Sequence, residues 1–135
     1  MVTKGGSRLQ TPINIYEAAG GENTFRRLIE HFYGYVAAHP DLSPLFPEDF
    51  SEIKAKQYAF LTQFFGGPPL YLQEYGQPMM RARHLRFPVT PKRAKAWLSC
   101  MSRAMDDVGL EGQIRQFMFQ RLNLTANHMV NTEEE

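Results

Sequence analysis

The feature that most constrains this chain is the spacing of its apolar residues. They recur at helical intervals, and no segment alternates as a half-buried strand would. The clearest stripe is Phe25, Leu28, Ile29, Phe32 and Val36, at i, i+3, i+4, i+7 and i+11. Asn14 and Glu17 have capping-box spacing for a short helix before it, ending at Gly20–Gly21. Asn23 or Thr24 is expected to cap the striped helix, and Pro40 to end it. Leu45, Phe46 and Pro47 then make a Pro-rich corner. Ser51 is expected to cap a third helix with Ile53, Phe60, Leu61, Phe64 and Phe65 on its buried face, closed by Gly66–Gly67–Pro68–Pro69. Residues 70–88 read as looser, with a short helical stretch around 79–85 fenced by Pro78 and Pro88. Thr90–Pro91 starts a helix carrying Ala94, Trp97, Leu98, Met101, Met105 and Val108, which stops at Gly109. The last helix runs from about Glu111 to Val130, with Ile114, Phe117, Met118, Leu122, Thr125 and Met129 as its stripe. The pattern predicts an all-α fold: a flexible segment over 1–12, one domain over 13–131 and a frayed acidic tail over 132–135.

At 135 residues there is room for one core. The single cysteine, Cys100, excludes an intramolecular disulfide and any Cys-rich metal site, and it is expected to be a small core residue. No apolar run approaches the ~20 residues of a membrane span, and residues 1–11 lack the apolar core of a secretory signal. A cytoplasmic, soluble protein is expected. The net charge of +1 argues against a generic nucleic-acid binder. Yet no Asp or Glu occurs from Tyr75 to Met105, a window holding Arg81, Arg83, Arg86, Lys92, Arg93, Lys95 and Arg103. Such a window is either a solvated face or a site for an anionic group.

A few residues do not suit a plain helical core. Gln57 falls near the middle of the apolar stripe of the third helix, at ~100° per residue. Burying its amide unpaired costs roughly 1–3 kcal/mol, so it calls for a partner: a backbone carbonyl, another side chain, water or a ligand. Tyr33 lies at the edge of its helix's apolar face, where a ring can be buried while the hydroxyl seeks a partner. Trp97 is central on its stripe and brings one indole N–H, alongside its plain packing role. His84, in Arg81-Ala-Arg-His-Leu-Arg86, has apolar Met80, Leu85 and Phe87 around it and guanidiniums within a turn. A neutral imidazole there can ligate a metal while its neighbours hold carboxylates. His31 lies off its apolar face, His39 precedes Pro40, and His128 could face inward from the last helix. No H-E-x-x-H, G-x-S-x-G, P-loop or G-x-G-x-x-G motif appears, so the usual hydrolase, transferase and dinucleotide chemistries have no visible machinery.

An ordered set of motifs resembles the second group of truncated haemoglobins, the bacterial oxygen-binding type. The set is Gly20–Gly21, Phe32–Tyr33, Leu45–Phe46–Pro47, Phe64–Phe65–Gly66–Gly67–Pro68, Arg81-x-Arg83–His84, and Trp97–Leu98 with Cys100–Met101, spanning about Ile15 to Asn131. The resemblance implies a shortened globin of two helices over two, holding haem b. His84 would be the proximal iron ligand. Tyr33, Gln57 and Trp97 match the family's distal polar residues, Phe46 the aromatic that packs on the haem, and Arg83 a basic residue that pairs with a propionate, with Lys56 as a second cation. Phe60 and Ile53 would complete the cofactor contacts. Ile53 stands where many globins have a distal His, so ligand stabilisation falls to the Tyr, Gln and Trp donors. Several donors to an oxygen carrying partial negative charge imply slow O₂ release. The implied partners are O₂, CO, NO and sulfide, and the implied assembly is a monomer or weak homodimer. NO dioxygenation or peroxide reduction would need a separate reductase, because no flavin or NAD domain is visible. From a different class, a cofactor-free helical module could dock an acidic partner through Arg81–Lys95.

Overall fold

The computed structural model describes residues 14–79 and 88–133, and among them every regular element is helical. Six α-helices occur in order: α1 (Ile15–Ala18), α2 (Gly21–Ala38), α3 (Ser51–Phe64), α4 (Leu70–Tyr75), α5 (Pro91–Asp107) and α6 (Gly112–Met129). A 3₁₀ turn, Ser43–Leu45, lies between α2 and α3. The helical stretch expected around 79–85 lies outside the described residues from 80 onward, and with it Arg81, Arg83, His84 and Arg86.

α2 is the hub. It packs on α5 and α3, α5 carries α6, and α1 bridges α2 and α6. The five residues of the α2 stripe are all buried, four of them completely. Opposite them stand Met101, Ala104 and Met105 of α5, each fully buried. Cys100 is buried beside them, as expected, and burial pushes its thiol pKa up.

The helix ends differ from expectation in instructive ways. Asn14 does cap α1, its Oδ1 accepting from Glu17 N at 3.2 Å. α2 starts at Gly21, ahead of Asn23 and Thr24, with Gly20 at its N-terminus in a φ of 120° that excludes a side chain. Ser51 is the first residue of α3 rather than its cap, and its N–H is taken by Asp49 Oδ1 at 2.9 Å. Thr90 caps α5 as predicted, accepting from Arg93 N at 3.1 Å with Pro91 in the first turn.

Two further departures matter. Residues 70–75, read as loose, form α4, whose Tyr71 is buried. Phe117, placed on the α6 stripe, is 40% exposed. α6 has apolar residues on both sides, so periodicity alone did not say which of them face inward. The close fit of α1 to the end of α3 explains the double glycine. A Cβ on Gly67 would stand 2.9 Å from the Thr62 carbonyl and 2.9 Å from the Tyr16 ring, closer than packed atoms approach. Tyr16 N also donates to Phe65 O at 2.8 Å, and Asn14 Nδ2 to Gly66 O at 3.1 Å. No helix of the described residues is long and apolar enough to cross a membrane.

Candidate functional site

The helices enclose a cavity of about 360 Å³, within the size range of cofactor pockets. Its walls are largely apolar. α3 contributes Ile53, Phe60 and Leu61, and the corner after α2 contributes Leu42, Leu45 and Phe46. α4 adds Tyr71, α5 adds Ala94, and α6 adds Leu122, Ala126 and Met129. The corner aromatics are ordered against each other, with Phe46 and Phe50 stacked at 5.6 Å between ring centroids.

Tyr33 from α2, Gln57 from α3 and Trp97 from α5 all line this cavity. They come from three helices and meet only because those helices pack together. Phe32 braces two of them, its ring centroid 4.8 Å from Tyr33 and 5.0 Å from Trp97. The Tyr33 ring is 5% exposed and also makes edge contacts with Phe46 and Phe50. Burial holds its phenol well above the ordinary tyrosine pKa, so it stays a neutral O–H donor. Among the described residues none of the three polar groups has a hydrogen-bond partner. Nor are they sealed into packing: the one buried, unpaired side-chain oxygen or nitrogen among the described residues is Thr62 Oγ1. The phenol O–H, the amide and the indole N–H therefore open onto the cavity.

The remaining predicted site residues divide. Ile53, Phe46 and Phe60 line the cavity. So does Lys56, with its Nζ 3.3 Å from the Glu52 carboxylate and 5.5 Å from the Tyr75 ring centroid. Arg83 and His84 lie outside the described residues. His128 is exposed, and the inward orientation considered for it is not observed. His31 points to the outer surface, its Nδ1 3.1 Å from Asp107 Oδ2. Of the acid-free window, Lys92 lies 3.6 Å from Asp41 across the fold, and Arg93 lines the cavity while donating to the Pro88 carbonyl at 2.8 Å.

Sequence reasoning missed Tyr71 and Arg93. Tyr71 sits in a helix too short to show a period. Arg93 carried a signal, its place in the acid-free window, but nothing singled it out from six other cations.

Residues 14–131 match the family model described as "Bacterial-like globin". The chain is 60% identical over 119 residues to the Group 2 truncated hemoglobin YjbI of Bacillus subtilis (strain 168), covering 88% of this chain and 89% of that protein. It superposes on the crystal structure of the group II truncated hemoglobin from Bacillus anthracis with a TM-score of 0.91 and 59% identity, over 93% of this chain and 97% of that one. The truncated oxygen-avid haemoglobin of Bacillus subtilis gives a TM-score of 0.84 at 60% identity, over 88% of this chain and 100% of that one. The two-over-two helical arrangement expected from the motifs is thus the observed fold, and the chain belongs to the group II truncated haemoglobins.

Proposed function

We propose that the cavity holds haem b and that O₂, and also CO and NO, are held beside it by donors from Tyr33, Gln57 and Trp97. Haem-based ligand binding is the function that family membership implies. The residues present fit such a group. A large apolar disc needs aromatic and aliphatic walls, which Phe46, Ile53, Phe60, Leu122 and Met129 supply. Its carboxylates need cations at the rim, where Lys56 stands and where Arg83 is the family's match. His84 occupies the family's proximal position. When bound, haem with one proximal imidazole supplies an iron whose remaining position takes a small ligand.

The observation that carries the reading is the convergence on one apolar cavity of three donors with no acceptor among the described residues. In a dry site each N–H or O–H directed at a partly negative oxygen contributes roughly 1 kcal/mol or more. Tyr33 remains protonated across the working pH range, because burial disfavours its phenolate. Gln57 and Trp97 have no titrating proton to lose there, so donation does not depend on pH. Together the donors slow ligand release. Oxidative turnover of NO or peroxide would need electrons from a separate reductase.

The test is the visible absorption spectrum of the purified protein after haem addition, then after reduction, then under CO. A sharp Soret band that shifts at each step is expected, with the reduced, ligand-free spectrum changed in His84→Ala. Failure to take up haem specifically would overturn the reading and favour a cofactor-free module docking through Arg81–Lys95.

A further inference from the structure

Phe32 stands behind the cavity wall rather than in it. It belongs to the α2 stripe, is fully buried and takes no part in lining the cavity. Its ring nonetheless touches two residues of that wall. The centroid lies 4.8 Å from that of Tyr33 at an interplanar angle of 73°, and 5.0 Å from that of Trp97 at 66°. Both are edge contacts, an arrangement that the charge distribution of aromatic rings favours.

The two donors differ in their other support. The Tyr33 ring also makes edge contacts with Phe50 at 5.6 Å and Phe46 at 6.2 Å, and those two stack on each other. Trp97 is partly buried, and among the described residues Phe32 is the one aromatic ring against its indole. An indole has a single N–H, which points along one direction in the ring plane, so the angle of the ring decides whether it donates. The α5 backbone fixes where the Trp97 side chain starts but leaves several staggered orientations open to it. A rigid neighbour in a close-packed interior selects among them.

We propose that Phe32 is a positioning residue: braced on Tyr33, its ring holds the Trp97 indole N–H towards the cavity and so ties the two donors together. The inference rests on the reading of Tyr33 and Trp97 as donors to a bound ligand. A change at Phe32 then alters ligand release without any contact between Phe32 and the ligand, and the effect passes through Trp97.

The test uses the haem-loaded full chain. Phe32→Met keeps an apolar side chain of similar bulk but replaces the rigid ring by a flexible chain. Phe32→Leu is the second variant, with a shorter and stiffer side chain. Trp97 is the sole tryptophan, so nitrogen-15 NMR of the reduced, CO-bound protein gives one indole cross-peak. That cross-peak should move or split in both variants. O₂ release, followed by replacement with CO, should speed up by about fivefold to tenfold, the kinetic equivalent of one lost hydrogen bond. On top of Trp97→Phe the same changes at Phe32 should add less than about twofold, because the effects of coupled residues do not multiply. An unmoved cross-peak with unchanged O₂ release in both variants would overturn the proposal, whatever the thermal midpoint does, and leave Phe32 as packing alone. Faster release that survives in full on top of Trp97→Phe would overturn it too, because the effect would then bypass the indole. If Trp97→Phe and Tyr33→Phe themselves leave release unchanged, the donor reading falls, and the role of Phe32 with it.

Discussion

Tyr33, Gln57 and Trp97 are each ordinary on their own helix and become a site only in combination. Each carries a hydrogen on oxygen or nitrogen that no described protein group accepts, at the edge of an apolar cavity. On the proposed reading, each donates to a partly negative ligand oxygen, a bond that contributes roughly 1 kcal/mol or more in a dry site. Trp97→Phe and Tyr33→Phe should therefore speed O₂ dissociation by about fivefold to tenfold each, the kinetic equivalent of ~1 kcal/mol. Stopped-flow replacement of O₂ by CO measures this, and unchanged rates in both variants would remove the donor role. Gln57→Leu should alter the same rates while keeping or raising the thermal midpoint, because it exchanges an unpaired amide for an apolar group of similar size. Gln57 was legible in the sequence because a polar residue on an apolar stripe is a local anomaly. Tyr71 was not, because a buried tyrosine in a six-residue helix breaks no pattern.

At the scale of helices, joints decide more than stripes. The α1–α3 joint depends on Gly67, where a Cβ would meet the Thr62 carbonyl and the Tyr16 ring at 2.9 Å. Gly67→Ala should lower stability by about 1–3 kcal/mol, seen as a lower urea midpoint with an unchanged slope. The outer joint of α2 and α5 is polar. Tyr35 Oη donates to Asp107 Oδ2 at 2.6 Å, His31 Nδ1 lies 3.1 Å from the same oxygen, and the Arg103 guanidinium stands 4.2 Å from the Tyr35 ring centroid. The Tyr35 hydrogen bond, reinforced by His31, holds the Asp107 carboxyl below its usual pKa, against a smaller opposing effect of burial. A carboxyl lowered on folding stabilises above its unfolded value and loses that contribution as pH falls through the folded one. The gap in thermal midpoint between the protein and Asp107→Asn should therefore be full near about pH 6 and close towards about pH 3. Thr90–Pro91 was readable because the cap and the proline are adjacent in sequence. The start of α2 at Gly21 was not, because the φ of Gly20 leaves no mark beyond the glycine itself.

On the scale of the whole molecule the protein divides into a packed half and a hollow one. Leu28, Met101 and Met105, where α2 meets α5, are fully buried and take no part in the cavity wall. The parts of α3 and α6 that carry Phe60, Leu122 and Met129 face the cavity instead. Removing the cofactor should lower the thermal midpoint, since a ligand at a thousand times its Kd adds about 4 kcal/mol to the folded state. Hydrogen exchange should show the loss concentrated in α3 and α6, with the α2–α5 contact still protected. Uniform loss across all helices would mean that the packed half cannot stand alone. The sequence by itself determined the helical class, the α2 stripe, the α5 start and the family, because periods, caps and ordered motifs are local or carried along the chain. Only the tertiary structure decided that α4 forms, that Phe117 faces out, and that Tyr33, Gln57 and Trp97 share one cavity. It alone set the Phe32 ring against that of Trp97. Those outcomes depend on which faces meet across many residues of separation, and helical periodicity specifies a face without naming its partner.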